Sequence, residues 1–312
     1  MQIADIEEAR GRIELYVKRT RLERSKTLSD HLGTNVYLKL ELFQKTGSFK
    51  VRGAFNKLLS QPDDQLSKGV VAVSGGNHAQ AVAYAASVLG LNAVVLMPDS
   101  TPENYVNATR DYGAQVELTP TIAAAFDEVE RYKAQGRVFI HPFDDEVVMA
   151  GQGTLGLEIV EDLPEVTDVV VSIGGGGLMS GVSFATKARK SDARIWGVET
   201  VGADAMSQAL AAGEPVTLPA ITSIAKTLGA PSVSAATLEA AQKRLESVTV
   251  VTDEEAVRSL AFILERLKVL TEPAASCTLA AAEKLQPKLG SHVVLILCGG
   301  NVGLNDLCSF SN

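Results

Sequence analysis

The residues best suited to chemistry in this chain are one lysine, two glycine-rich turns and one cysteine. Lys50 closes the segment KTGSFK (45–50) and opens an Ala/Leu-rich helical pattern, with Ser48 expected as its N-cap. That places a cation in the first helical turn, where the positive end of the helix disfavours it. A lowered pKa, or use of the amine as a Schiff base to a cofactor aldehyde, removes the conflict. Taken alone, a solvated surface lysine is the ordinary alternative.

Residues 168–181 read as a buried strand, four glycines (Gly174 to Gly177) and the start of a helix. Backbone N–H groups without β-carbons beside them can approach one anion, and the helix N-terminus adds its dipole. The spacing matches neither the dinucleotide fingerprint, which needs glycine at Met179 or Ser180, nor the P-loop, which needs a following Lys-Ser/Thr. A ligand-free tight turn is the alternative. A second turn, Ser74-Gly75-Gly76-Asn77-His78, offers donors for a carboxylate or a phenolic oxygen. His78 reads either as a chemical group or as a structural hydrogen-bonder. Cys298 ends the apolar run 293–298 before Gly299, as a weak partner for a ring nitrogen or as a small buried hydrophobe.

The elements that position these residues follow from short apolar runs alternating with Ala/Leu-rich segments. Strands are expected at 36–40, 70–74, 93–97, 115–118, 138–141, 168–173, 195–199 and 293–298, and helices at 79–89, 102–112 and 153–160. The near-continuous apolar strands indicate burial on both faces and hence mostly parallel sheets between helices. Two glycine-rich strand ends far apart in sequence suggest two such layers facing one cleft.

The 312 residues suffice for one large or two medium domains. A net charge of −8 without a basic cluster argues against nucleic acid or an anionic membrane as partner. The N-terminus lacks the pattern of a signal peptide, and no apolar run is long enough to span a membrane. Three cysteines without CxxC spacing argue against a disulfide framework or a zinc site. A cytoplasmic protein is expected.

As an ordered set, KTGSFKxRGA, SGGNHAQ, GGGGL and CGGN resemble the fold-type II enzymes that depend on pyridoxal 5′-phosphate (PLP), whose fold is tryptophan synthase β-like. Within them they are similar to the serine/threonine dehydratases (ammonia-lyases), a family that includes serine racemase. The resemblance runs from about Arg12 to about Leu307 and takes in HPFDD (141–145) and AGQGT (150–154). It implies an α/β fold of two open, mostly parallel twisted sheets flanked by helices. Residues 1–44 and 144–312 would form a large PLP-binding domain, and residues 45–143 a small domain closing over substrate.

The same resemblance implies that Lys50 is the catalytic residue and carries PLP. Phe49 would pack beside the pyridine ring and Asn77 would bond its 3′-oxygen. Gly174, Gly175, Gly176, Gly177 and Leu178 would surround the phosphate, and Cys298 would face the ring nitrogen. Ser74, Gly75, Asn77 and His78 would line the substrate carboxylate pocket. Glu199 and Ala203 would mark a site for a monovalent cation such as K⁺, because Ala205 stands where a divalent site needs a carboxylate. The implied activity is deamination of L-serine or L-threonine by β-elimination of water, giving pyruvate or 2-oxobutyrate and ammonia, in a homodimer. Racemases of this family carry a second serine where this chain has Gly75, which favours the dehydratase.

The segments 198–203 and 218–229 look like animal-type serine dehydratases, whereas SGGNHAQ looks like bacterial threonine dehydratases. The end of the chain soon after Asn301 suggests a catabolic type without isoleucine feedback. The alternatives are dehydration of threo-3-hydroxyaspartate or phenylserine, serine racemisation, and, outside the class, a nicotinamide-dependent oxidoreductase or an inert PLP-binding module.

Overall fold

Each of the eight apolar runs expected as strands forms one, and two short strands join them. The structure, a computed structural model, describes residues 1–310. The strands are β1 (Leu22–Arg24), β2 (Asn35–Lys39), β3 (Val70–Val73), β4 (Ala93–Pro98), β5 (Gln115–Thr119), β6 (Val138–Ile140), β7 (Asp168–Ser172), β8 (Arg194–Thr200), β9 (Ser247–Val251) and β10 (His292–Ile296). The helices of the first half are α1 (Ile3–Ile13), α2 (Lys26–Leu32), α3 (Lys50–Leu59), α4 (Asp63–Leu66), α5 (Asn77–Val88), α6 (Glu103–Asp111) and α7 (Ile122–Ala134). Those of the second half are α8 (Glu146–Asp162), α9 (Gly177–Arg189), α10 (Ala205–Ala212), α11 (Ala235–Arg244), α12 (Asp253–Leu267), α13 (Pro273–Leu285) and α14 (Leu304–Phe310). None is long and apolar enough to cross a membrane among the described residues.

Two sheets result. One has the order β1-β2-β10-β7-β8-β9, parallel except for the antiparallel edge strand β1. The other has the order β5-β4-β3-β6 and is wholly parallel. Alternation along each strand feeds both faces. Val169 and Val171 of β7 pack with α8 and α9, whereas Val170 packs with α12 and α13. In the smaller sheet Val70 and Ala72 meet α3 and α5, and Val71 and Val73 meet α7.

The strand orders decide where a ligand can sit. In the larger sheet the chain winds outward from β7 through β8 to β9, while β10 lies on the other side of β7. In the smaller sheet it winds from β3 through β4 to β5, while β6 lies on the other side of β3. Each sheet therefore has a switch point, between β7 and β10 and between β3 and β6. Turns beyond the carboxyl ends of strands splay apart there and leave a crevice.

Helix α3, which begins at Lys50, is fixed by buried charge. Arg52 donates to Glu41 Oε1 and Oε2 (2.8 and 2.9 Å) and to Glu158 Oε1 (2.7 Å), and Lys39 Nζ donates to Glu158 Oε2 (2.6 Å). Two cations and two carboxylates share this buried site, so each charge keeps a partner. Helix α8 packs against α3 and starts seven residues earlier than its apolar pattern suggests. Asp145 caps it, accepting from the N–H groups of Val147 and Val148. A β-carbon at Gly151 would stand 2.6 Å from the Arg52 carbonyl, so glycine permits this close crossing.

Candidate active site

Four turns meet at the paired switch points: 74–76 after β3, 141–143 after β6, 174–177 after β7 and 298–301 after β10. Three helices begin among them, α3 at Lys50, α5 at Asn77 and α9 at Gly177. None of the three has a side-chain cap. Their first N–H groups thus have no intrahelical acceptor and can receive an anion.

Lys50 Nζ donates to the Pro142 carbonyl (2.7 Å) and lies 5.2 Å from the centroid of the Phe49 ring. Burial lowers its pKa to about 8, partly opposed by the nearby carboxyl of Glu272. Roughly a tenth of the amine is then free base at neutral pH, far more than for an ordinary lysine. Ser48 is not the cap of α3. It is extended and bridges Gly299, and Phe49, with helical angles, precedes the helix. The reason is that segment 45–49 pairs with the turn after β10, where the Phe49 N–H donates to the Cys298 carbonyl (3.0 Å).

The missing β-carbons of the glycine turn face protein. A β-carbon on Gly175 would overlap the Phe143 ring, one on Gly174 would stand 3.1 Å from the Leu228 carbonyl, and one on Gly176 would stand 2.7 Å from Thr237 Cβ. Gly176 also has φ +95°, which L side chains resist. Glycine lets this turn lie flat between Phe143 and Leu228. Phe143 is held by His141, whose Nδ1 accepts from the N–H groups of Phe143 (3.2 Å) and Asp144 (2.7 Å).

Asn77 is enclosed and oriented from two sides. Its Nδ2 donates to Glu272 Oε1 (2.8 Å), and its Oδ1 accepts from Asn301 Nδ2 (2.8 Å). One amide hydrogen remains for a ligand. Glu272 Oε1 also accepts from Thr227 Oγ1 (2.9 Å), while Glu272 Oε2 is buried with no partner. Burial pushes the Glu272 carboxyl up to about 7. The His78 side chain turns away, its Nε2 bonded to the Ile140 carbonyl (2.8 Å) and its pKa lowered to about 3 by burial. At this position the backbone N–H, not the imidazole, is the group left for a carboxylate. Ser74 Oγ accepts from the Gly76 N–H (3.1 Å) and shapes the same turn. A β-carbon on Gly75 would stand 2.6 Å from Thr101 Oγ1.

The Cys298 thiol is enclosed, and its pKa is raised by burial and by Glu272, so it stays neutral. Leu178 packs with Phe49 and Cys298 in one apolar cluster. Glu199 lies near the end of β8, and Ala203 lies in the turn that follows. The Glu199 oxygens accept from the N–H groups of Met206 and Ser207 (2.8 Å each), so the carboxylate caps α10.

Sequence reasoning brought Lys50, Asn77, the glycine turn and Cys298 to one place. It missed the parts played by Pro142, Phe143, Thr227, Leu228 and Glu272. Pro142 and Phe143 lie in HPFDD (141–145) and Thr227 and Leu228 in the segment 218–229, both part of the resemblance, and Glu272 is an acid in an apolar segment directly before a proline.

These groups fit a phosphorylated aromatic aldehyde. A buried amine of lowered pKa could take the aldehyde, uncapped N–H groups could hold the phosphate, a free amide hydrogen could bond a ring oxygen, and a neutral thiol would suit a weakly basic ring nitrogen. Such a fold and site define an enzyme built around pyridoxal phosphate. The chain belongs to the family described as pyridoxal-phosphate dependent enzyme, whose profile matches residues 13–299. It is 41% identical over 308 residues to an L-threonine ammonia-lyase of Geobacter sulfurreducens, covering 97% of this chain and 76% of that protein. It is 39% identical over 313 residues to the L-threonine dehydratase catabolic TdcB of Escherichia coli K12, covering 97% of this chain and 94% of that protein. Among solved structures it is similar to a maize serine racemase, with a TM-score of 0.94 at 37% identity over 99% of this chain and 96% of that one.

Proposed function

We propose that this chain is a lyase that deaminates L-threonine or L-serine by β-elimination of water, releasing an enamine that hydrolyses to 2-oxobutyrate or pyruvate and ammonia. The observation that carries this reading is the Lys50 amine, with a pKa of about 8, set among three uncapped helix N-termini. Relatives acting on threonine across nearly the whole chain support it.

When bound, pyridoxal phosphate would supply the conjugated electron sink that makes the substrate α-proton removable. The chain's residues do the rest. The glycine turn and the N-terminus of α9 hold the phosphate, with Leu178 beside it. Phe49 backs the ring, Asn77 donates to its 3′-oxygen, and Cys298 meets its nitrogen without charging it. The N–H groups of the turn 74–78 hold the substrate carboxylate and so fix the direction of the Cα–H bond. Lys50 Nζ then takes the α-proton. The segment 45–143 closes over the substrate and excludes water. Assembly as a homodimer, a cytoplasmic location and a K⁺ ion at Glu199 and Ala203 complete the proposal.

The test is a spectrum of the purified protein with PLP, followed by L-threonine and L-serine with a 2-oxo acid assay. A cofactor band with either product supports the reading. A band without product moves it to another hydroxy amino acid or to racemisation, the second reading favoured by the likeness to a serine racemase. No band overturns it.

A further inference from the structure

Tyr105 lies in the first turn of α6, beside the smaller sheet, yet its hydroxyl is spent on the larger one. The ring is buried, and the phenol donates to the carbonyl of Asn301 in the turn beyond β10. Burial pushes its pKa up, so it remains a donor at any pH the protein meets. The Asn301 side chain passes the contact on. Its Nδ2 donates to the Thr46 carbonyl (2.7 Å) and to Asn77 Oδ1 (2.8 Å), and Asn77 Nδ2 donates to Glu272 Oε1 (2.8 Å). An amide group is planar. Fixing its oxygen against Asn301 and one hydrogen against Glu272 fixes the direction of its second hydrogen.

We propose that Tyr105 is a positioning residue: through Asn301 it sets the free amide hydrogen of Asn77, and so couples the placement of helix α6 to the cofactor pocket. This rests on the reading that Asn77 faces the bound cofactor. In this arrangement α6 reports its position across the cleft by hydrogen bonds alone. A shift of α6 releases the Asn301 carbonyl, frees the Asn301 turn and loosens Asn77.

Tyr105→Phe in the holoenzyme tests it, since the ring still fills its buried site. Loss of one hydrogen bond predicts a roughly tenfold weaker PLP affinity and a changed ratio of the cofactor's two absorbance bands. Thr109→Val is the control, because Thr109 Oγ1 bonds the Tyr105 backbone carbonyl (2.8 Å) inside α6 and not the phenol that reaches Asn301. It is expected to lower thermal stability while leaving the band ratio as in the unaltered protein. In an Asn77→Ala background, Tyr105→Phe is expected to have no further effect on the bands. An unchanged ratio and affinity in Tyr105→Phe overturn the inference, as does an equal change in Thr109→Val, which makes Tyr105 merely structural. Absence of any cofactor band in the unaltered protein instead overturns the reading beneath it.

Discussion

Lys50 and Pro142 are joined by a 2.7 Å hydrogen bond from the lysine amine to the proline carbonyl. The contact ties the start of α3 to the turn after β6. The next residue, Phe143, fills the space left by Gly175. One short turn therefore holds the amine and also supports the glycine turn. A carbonyl accepts from a protonated or a neutral amine without fixing its charge. Burial is then free to lower the pKa, and the amine is kept in place without an acid partner.

The first consequence concerns Lys50 itself. Lys50→Ala removes both the attachment point and the base. Turnover is expected to fall by about ten-thousand-fold or more, with loss of the visible band. Stopped assays on the purified variant measure this. Substantial remaining elimination would sink the assignment.

A second expectation follows from the lowered pKa. An ordinary lysine titrates near 10.5, but Lys50 does so near 8. Cofactor uptake by the PLP-free protein requires the neutral amine. Its rate is expected to climb about tenfold per pH unit below about pH 8 and to level off above it. A rise continuing unbroken to about pH 10 would show that burial does not lower the pKa.

The glycine turn gives a third. Gly175→Ala overlaps Phe143, and overpacking of this kind costs about 1–3 kcal/mol. Stability and PLP affinity are both expected to drop. Adding Phe143→Ala is expected to restore stability but not full affinity, since the turn then lacks its support. Calorimetry and a PLP titration separate the two. Full recovery of both would mean that Phe143 only fills space.

How much of this was legible is decided by locality. Gly174 to Gly177, Asn77 and Cys298 sit at the ends of apolar runs, which singled them out, whereas Lys50 stands in a mixed segment and the parts of all of them came from the ordered resemblance. Phe143, Leu228 and Glu272 come from three separate segments, and what unites them is tertiary. Strand β1 reads Leu-Glu-Arg and is an exposed antiparallel edge, so it has no apolar signal. Strand β9 is only half buried and lies at the other edge. The start of α8 was hidden in part because Gly151 depresses helix propensity, and the crossing with α3 outweighs that. Ser48 looked like a cap because the bridge to Gly299 cannot be seen locally.

Position 75 gives a fourth prediction. Serine there would add a hydroxyl able to move a proton. Its β-carbon, however, would stand 2.6 Å from Thr101 Oγ1, the movable end of a side chain. Gly75→Ser alone is expected to show weak racemisation, and Gly75→Ser with Thr101→Ala more. Chiral chromatography of recovered serine measures it. No racemisation in either variant would mean that position 75 does not decide between the two reactions.

Glu272 yields the last, through the sign of its linkage. Its carboxyl is raised from an ordinary 4.5 to about 7, so the folded protein holds a proton that the unfolded chain has released. Unfolding then loses a proton, and rising pH between about 4.5 and about 7 destabilises the fold; above about 7 the full penalty is present. Glu272→Gln keeps an oxygen to accept from Asn77 and Thr227 but cannot ionise. Its NH2 group stands where Oε2 has no partner, which adds an offset that does not vary with pH. The stability of the variant relative to the unaltered protein is therefore expected to improve as pH rises towards about 7 and then to stay constant. Glu199, also raised to about 7, contributes equally to both proteins and cancels in the difference. Urea unfolding of the PLP-free proteins from about pH 5 to about pH 8 reads this difference directly. Parallel stability curves would mean that Glu272 is ionised throughout, and its buried, unpartnered oxygen would then need another source of compensation.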